Sequence, residues 1–402
     1  MTYRFATLRR FRFNPPQRIA ALLLALFLAQ GFWLTAHQTL SDRDYQYARC
    51  GRETWERPSP LAGYFTSCGN IHDGILAYRL AGLPLTLNLL AQRGLDRFRS
   101  PEDRVVQSEG QLSTWELRHQ LTHILLLLRL PFLFAGCLLG GCLWWVTRRL
   151  YGNLGGYTAL ALYCLSPGIL KACVSPSPEI LAALGVYGGV YTCIGVAHAM
   201  QGPRRKWRPR ILLLTAAFAL AAAAHIAALP VVALLGFVLM LWIAEGRRSQ
   251  VLPVVLLAVL GALICLFACY NFSPDAFSYV FRSAAGFLWF SLDPARRFFT
   301  ALPNAGSAIA SSSAALLFLG LRKTWYFGNV TPLLCFAVCI ILVLTGVPGS
   351  PWLWALPFLF TFIGGVFADA YETPRRRLAL AAAGAVVVLQ AVLCILNLPG
   401  LV

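Results

Sequence analysis

Residues 211–244 read ILLLTAAFALAAAAHIAALPVVALLGFVLMLWIA, a run with no acidic residue, lysine or arginine. As one α-helix it would extend about 51 Å, against about 30 Å for the hydrocarbon core of a bilayer. Basic clusters flank it on both sides, Arg204 to Arg210 before it and Arg247-Arg248 after it. A single crossing cannot put both clusters on one face of a membrane. Two crossings, with a turn between His225 and Pro230, satisfy length and charge together. The run reads as a pair of membrane spans.

The same reading extends outward along the chain. Of 402 residues, 58% are hydrophobic and only 12% charged, with a mean hydropathy of +0.64. That charge content is about half of what a soluble domain carries, which excludes the two or three soluble domains that length alone would allow. Eleven apolar stretches follow one another: Ile19–Ala36, Leu121–Val146, Leu154–Leu170, Ile180–Met200, Ile211–Ala227, Leu229–Ala244, Val251–Cys269, Ala305–Leu319, Val330–Val347, Trp352–Phe367 and Leu378–Leu398. The first lacks an A-x-A-like cleavage site and reads as a retained anchor. The expectation is an all-α polytopic membrane protein of about eleven helices. Residues 1–402 would form a single integral-membrane domain, with 19–36 as first span, 37–120 as a long outer loop and 121–402 as the remaining spans.

The net charge of +18 would point a soluble protein toward nucleic acid. Here the positive residues sit in short clusters between apolar runs, and no RNA- or DNA-binding motif accompanies them, so nucleic acid is excluded as a partner. With the N-terminus in the cytoplasm, all six clusters fall inside: the N-terminal arginines, Arg148-Arg149, Arg204 to Arg210, Arg247-Arg248, Arg322-Lys323 and Arg375 to Arg377. That is the bias that orients membrane proteins. An odd number of spans then puts the C-terminus outside, and a bacterial inner membrane with its lipids is the expected setting.

The first outer segment, His37 to Gln120, carries ten of the 16 acidic residues. It is too polar to span, but Ile75 to Leu80 and Pro84 to Leu90 read as one or two amphipathic surface helices. A second outer segment, Asn271 to Pro303, has the aromatic composition of an interface. Of the 12 cysteines, ten lie in apolar runs. The pairs Cys265/Cys269 and Cys335/Cys339 have no His or carboxylate beside them and read as buried hydrophobes rather than metal ligands. Cys50 and Cys68 share the first outer segment and are expected to form a disulfide in an oxidising compartment, worth about 3 kcal/mol.

Phosphate-binding Gly loops, serine-hydrolase elbows, HExxH and dinucleotide fingerprints are all missing from the sequence. What remains are carboxylates where spans meet the outer face. Ser41-Asp42-Arg43-Asp44-Tyr45 follows the first span, and an acid held beside low-dielectric lipid is placed to act as a general base, or simply to cap a helix. Glu179, in Ser175-Pro176-Ser177-Pro178-Glu179, stands at the start of the fourth span, where the helix dipole favours a carboxylate. His72-Asp73 reads as a pair of loop polar groups, since neighbours in sequence do not face one another. Glu116, His119 and His123 read as polar residues at a span entrance. Arg129 lies inside the second span, where a bare charge costs at least ~2.5 kcal/mol, so a partner carboxylate is expected.

Three further stretches complete a pattern: Arg129-Leu130-Pro131, Thr147-Arg148-Arg149-Leu150-Tyr151-Gly152-Asn153-Leu154-Gly155-Gly156-Tyr157, and Leu165-Ser166-Pro167 with Glu179 twelve positions on. Over about the first 200 residues this resembles the GT-C-fold glycosyltransferases that use polyprenyl-phosphate sugars, the protein O-mannosyltransferase and aminoarabinose-transferase lineage. The resemblance implies that Asp44 or Asp42 activates the acceptor and that Glu179 is the second acidic residue of the site. It also implies that Lys171, Arg282, Arg296 and Arg297 bind the phosphate of the lipid-linked sugar donor. The family's Asp-Glu pair stands here as Asp42-Arg43-Asp44, and its His-Pro-Pro-Leu segment is replaced by Asn70-Ile71-His72-Asp73-Gly74. No metal ligands are assigned and a divalent metal is left open. Two other classes remain beside the transferase: a non-catalytic subunit, with other membrane subunits as partners, and a transporter. The transporter, ranked third, would require inverted repeats and midplane charges, whereas the chain shows no repeat and has only Arg129 inside a span.

The charge pattern makes a direct prediction. Reporter fusions at Lys206, Glu245 and Tyr371 should read cytoplasmic, and fusions at Glu109 and Asp275 external. An external signal at Lys206 would overturn the whole arrangement.

Overall fold

The computed structural model describes residues 14–56, 71, 73–96, 121–202, 204–284, 305–321, 327–344 and 351–401. Among them the chain is helical, with no strand. In order the helices are α1 (Pro15–His37), α2 (Asp42–Glu56), α3 (Ile75–Asp96), α4 (Leu121–Cys164), α5 (Pro167–Val174), α6 (Glu179–Met200) and α7 (Arg204–Ala224). There follow α8 (Ala228–Ile243), α9 (Val251–Cys269), α10 (Pro274–Ala284), α11 (Ala305–Leu321), α12 (Phe327–Leu344), α13 (Pro351–Tyr371) and α14 (Arg376–Asn397). Among the described residues six helical segments are long and apolar enough to cross a membrane, and shorter apolar helices lie in α3, α8, α11 and α12.

Among the described residues the expected spans fall on helix apart from a break in the third, and the long apolar run breaks where length and charge require: α7 stops at Ala224, and His225 to Ala227 form the turn into α8. The second and third spans are separated by Gly152, whose φ of 78° interrupts α4 between its two halves. The third span is not one helix to Leu170. It stops at Cys164, and Ser166 is extended before Pro167 restarts the chain as α5. Proline drives the residue before it out of the helical region and favours a first helical position. Residues Ile75 to Leu90 lie on one continuous helix, α3, with Pro84 inside it. The helix α2 was visible in sequence only as a possible cap.

The bundle is built around α6 and α13, whose side chains are buried along most of their lengths. Tyr187 of α6 and Thr361 of α13 join hydroxyls at 2.9 Å between them. Peripheral helices bury one stripe and expose another. On α9, Val251, Val255, Ala258 and Ala262 face inward, while Leu252, Leu256, Leu260 and Ile264 are exposed. An outward apolar stripe of this kind suits hydrocarbon, where helix association no longer depends on hiding Leu from water.

Contacts between connecting segments keep the two ends of the bundle distinct. At one end Asp73 meets Ile226, Arg79 donates to the Cys269 carbonyl at 2.7 Å, and Gln38 donates to the Leu401 carbonyl at 2.5 Å. At the other, Arg247 donates to the Gly202 carbonyl at 3.2 Å and Asn329 to Asp369 at 2.8 Å. The first end collects the segments expected outside, and the second those beside the basic clusters.

Helices α2 and α3 cross at backbone contact. A Cβ on Gly82 would come within 2.1 Å of the Gly51 carbonyl, and one on Gly51 within 2.3 Å of the Tyr78 carbonyl oxygen. A side chain at either site must push the helices apart, which typically costs about 1–3 kcal/mol. Gly82→Val should therefore lower the melting temperature of the detergent-purified chain. Gly94→Ala, on the same helix but facing open space, should not lower it. Equal melting of the two variants would contradict the crossing.

Candidate functional site

The N-terminus of α2 is closed by a reciprocal cap. The Asp44 backbone N–H donates to Ser41 Oγ at 3.1 Å, and the Ser41 backbone N–H donates to Asp44 Oδ2 at 3.1 Å. This is the capping box, here with Asp at the third helical position in place of Glu or Gln. The cap turns Asp44 inward, leaving it 2% exposed. There it accepts from Arg129 Nη2 of α4 at 2.6 Å, and Arg129 also donates to the Thr39 carbonyl at 3.2 Å. The carboxylate that the buried Arg129 requires is thus Asp44. Three donors converge on Oδ2, and none among the described residues donates to Oδ1.

One turn further along α2, Tyr47 stacks on Tyr78 of α3 with ring centroids 4.2 Å apart, and the Arg43 guanidinium lies 5.8 Å from the Tyr47 ring centre. Burial pushes the Tyr47 phenol well above its usual range. The neighbouring Tyr78 and the charge of Glu179 add to this, while Arg43 opposes it. Tyr78 is raised by burial as well. Both phenols stay protonated as neutral hydrogen-bonding groups. Tyr47 thus feels the charge of Glu179, which stands at the first position of α6.

Glu179 is 8% exposed and faces His225, its Oε1 being 3.9 Å from Nε2. His225 Nδ1 lies 2.5 Å from Asp73 Oδ2. The other Asp73 oxygen accepts from the Ile226 backbone N–H at 3.0 Å and from that of Gly74 at 2.9 Å. Gly74 makes this approach possible: its φ is 74°, and a Cβ there would press on Pro178 at 3.3 Å. Burial alone would lower the pKa of His225, but the hydrogen bond and charge of Asp73, with the charge of Glu179, raise it above the ordinary value. The Trp354 ring of α13 meets the imidazole edge-on at 5.7 Å.

The structure thus gathers Asp44 and Glu179 with Arg129, whose need of a carboxylate is legible in the sequence, and adds Tyr47, Asp73 and His225. Asp73 is not the isolated loop group that its neighbour His72 suggested, because its partner lies 153 positions away. The available signal was His225 itself, the one imidazole in an otherwise uncharged run and at its expected turn. Asp42 is exposed, at the first position of α2. Lys171 is the exposed residue of the otherwise buried α5. Arg296 and Arg297 lie outside the described residues, as do the side chain of Arg282 and Cys68. Cys50 is buried in α2 and disulfide-bonded. No group of three or more His, Cys, Asp or Glu among the described residues is arranged to hold a metal ion. In the Asp73–His225–Glu179 row the imidazole already stands between the carboxylates.

No protein-family model matches the chain, and no curated protein matches it in sequence. Solved structures do match in shape. The Archaeoglobus fulgidus oligosaccharyltransferase in complex with Zn and sulfate aligns over 94% of this chain with a TM-score of 0.52 and 12% identity. Its apo form aligns over 96% with a TM-score of 0.56 and 12% identity. The chain covers 52% and 56% of those two chains, so it spans about half their length. The residues that gather at the α2–α3 end of this bundle are carried on a GT-C-like fold, shared with that membrane enzyme at low sequence identity.

Proposed function

We propose that the chain is a membrane glycosyltransferase that moves a sugar from a polyprenyl-phosphate donor to an acceptor on the outer face. The observation that carries this is that two buried acids from distant segments, Asp44 paired with Arg129 and Glu179 facing His225, stand in the first turns of α2 and α6 at one end of a GT-C-like bundle. Asp44 is held by Arg129 and its cap through Oδ2, so Oδ1 would take the proton of the acceptor hydroxyl as its oxygen attacks the anomeric carbon. The bond from that carbon to the phosphate oxygen breaks, and polyprenyl phosphate leaves with the electron pair. Attack opposite the leaving group inverts the centre. Glu179 would orient the acceptor, and Lys171 with Arg282, Arg296 and Arg297 would pair with the donor phosphate.

The same reading places the chain in a bacterial inner membrane with eleven spans, the N-terminus inside and the C-terminus outside. It pairs Cys50 with Cys68, and it takes the protein O-mannosyltransferase and aminoarabinose-transferase lineage as the source of the fold. The second reading, a non-catalytic subunit bound to other membrane subunits, draws support from Asp44 and Asp73 each being engaged by a cation of the chain itself.

Release of polyprenyl phosphate by purified protein in lipid, from a panel of polyprenyl-phosphate hexoses and pentoses, tests the proposal. Asp44→Asn should lower release by about 10²–10⁴-fold because it removes the base; it also strips Arg129 of its counter-charge, so folding and donor binding are checked on the same preparation. Glu179→Gln should lower turnover. Release unchanged in both variants would sink the mechanism, and no release from any donor would favour the non-catalytic subunit.

The ion pair has a stability signature separate from catalysis. Both side chains are 3% exposed, and removing one partner of a buried pair typically costs about 3–5 kcal/mol because the other is left buried and bare. Arg129→Met should destabilise by that amount, and adding Asp44→Asn should recover much of the loss. A double-mutant cycle by chemical unfolding that shows simple additivity would argue against the pair.

A further inference from the structure

Within the reading in which Glu179 serves sugar transfer, we propose that His225 is a positioning residue: held by Asp73 through Nδ1, it presents Nε2 to Glu179 and fixes where that carboxylate points. The hold on the imidazole comes from three sides. Asp73 is itself fixed, its Oδ1 taking the Ile226 and Gly74 backbone N–H groups, so that Oδ2 meets Nδ1 at 2.5 Å. This close contact sets the ring's orientation, with Nδ1 against the Asp73 carboxylate and Nε2 turned toward Glu179. The buried Trp354 abuts the ring edge-on, and the backbone of the turn is anchored by the His225 N–H donating to the Ala221 carbonyl at 2.8 Å. His225 is 6% exposed, too deep in the turn to serve as a surface polar group.

The link to Glu179 is of a different kind. At 3.9 Å it is an ion pair and not a hydrogen bond. It therefore acts only while the imidazole carries its second proton. The groups that face the ring are Asp73 from the entry to α3, Glu179 from α6 and the neutral Trp354 from α13, with Tyr47 of α2 lying near Glu179. Burial works against the protonated form, and the two carboxylates outweigh it, so the folded pKa stands above the ordinary 6.5. The hold on Glu179 is consequently complete at mildly acidic pH and is lost as pH rises through that elevated value.

The full-length chain in lipid nanodiscs, labelled with ¹⁵N-histidine, gives a test that needs no substrate. The His225 ring nitrogens should titrate above 6.5 in the wild type, shift down clearly in Asp73→Asn and shift down less in Glu179→Gln. A second measurement follows polyprenyl phosphate release against pH from the same donor panel. Wild-type turnover should fall on the basic side through the His225 titration. His225→Gln should lower turnover by up to about a hundredfold below that limb, as expected for a displaced reacting group. It should also abolish the limb and leave the donor KM unchanged. His225→Lys, which keeps a charge to higher pH, should recover part of the rate without the limb.

A His225→Gln enzyme that keeps the wild-type pH profile and loses only thermal stability would reduce His225 to a packing residue and overturn the inference. So would a His225 titration unmoved by Glu179→Gln. Coupled titrations with no release from any donor would remove the transferase reading, and the positioning role with it. Release with an unaltered profile would remove the positioning role alone.

Discussion

A guanidinium sealed inside a membrane span sets the terms for the rest of this bundle. Arg129 is 3% exposed on α4, and hydrocarbon offers a bare charge neither water nor counter-ion. Its partner comes from the residues just past α1, where the capping box of α2 aims Asp44 inward. That one pair ties the first polar segment to the second span. From there the constraint passes along the structure: α2 crosses α3 at glycine contact, and α3 is pinned to the end of α9 by Arg79, which donates to the Cys269 carbonyl and to Asn271 Oδ1 at 2.6 Å. The chain leading into α3 carries Asp73 to the α7–α8 turn.

Each acid in this end of the bundle is matched to a cation or a donor. Asp44 has Arg129, Asp73 has His225 and two backbone N–H groups, and Glu179 faces His225. Burial raises both phenols, so the tyrosines add no negative charge. The balance also divides the roles: a guanidinium holds Asp44, while an imidazole faces Glu179.

The spans were legible because they rest on local properties, the length of an apolar run and the charges at its ends. The break at His225 could be read for that reason, and so could the need of Arg129 for a carboxylate. The identity of that carboxylate could not, since Asp42 and Asp44 are equivalent in composition and only the cap selects one. Ser41 and Asp44 at capping-box spacing carried the signal, but the polar composition of residues 42–56 hid the helix behind it. The interruption at Ser166-Pro167 was masked by the continuity of the apolar run. Asp73 was misjudged because sequence shows its neighbours and not the turn it meets on the far side of the fold.

Backbone electrostatics explains why the acids collect at this end. Asp44 occupies the first turn of α2, Glu179 opens α6, and Asp73 stands two residues before α3. A helix N-terminus carries about half a positive charge and unpaired N–H groups, worth typically 0.3–1 kcal/mol to a carboxylate and more when partly buried. Three such ends converge where the desolvation of acids would otherwise be costly. The carboxylates supply the negative charge that these ends favour, and each end in turn offsets part of the cost of burying its acid.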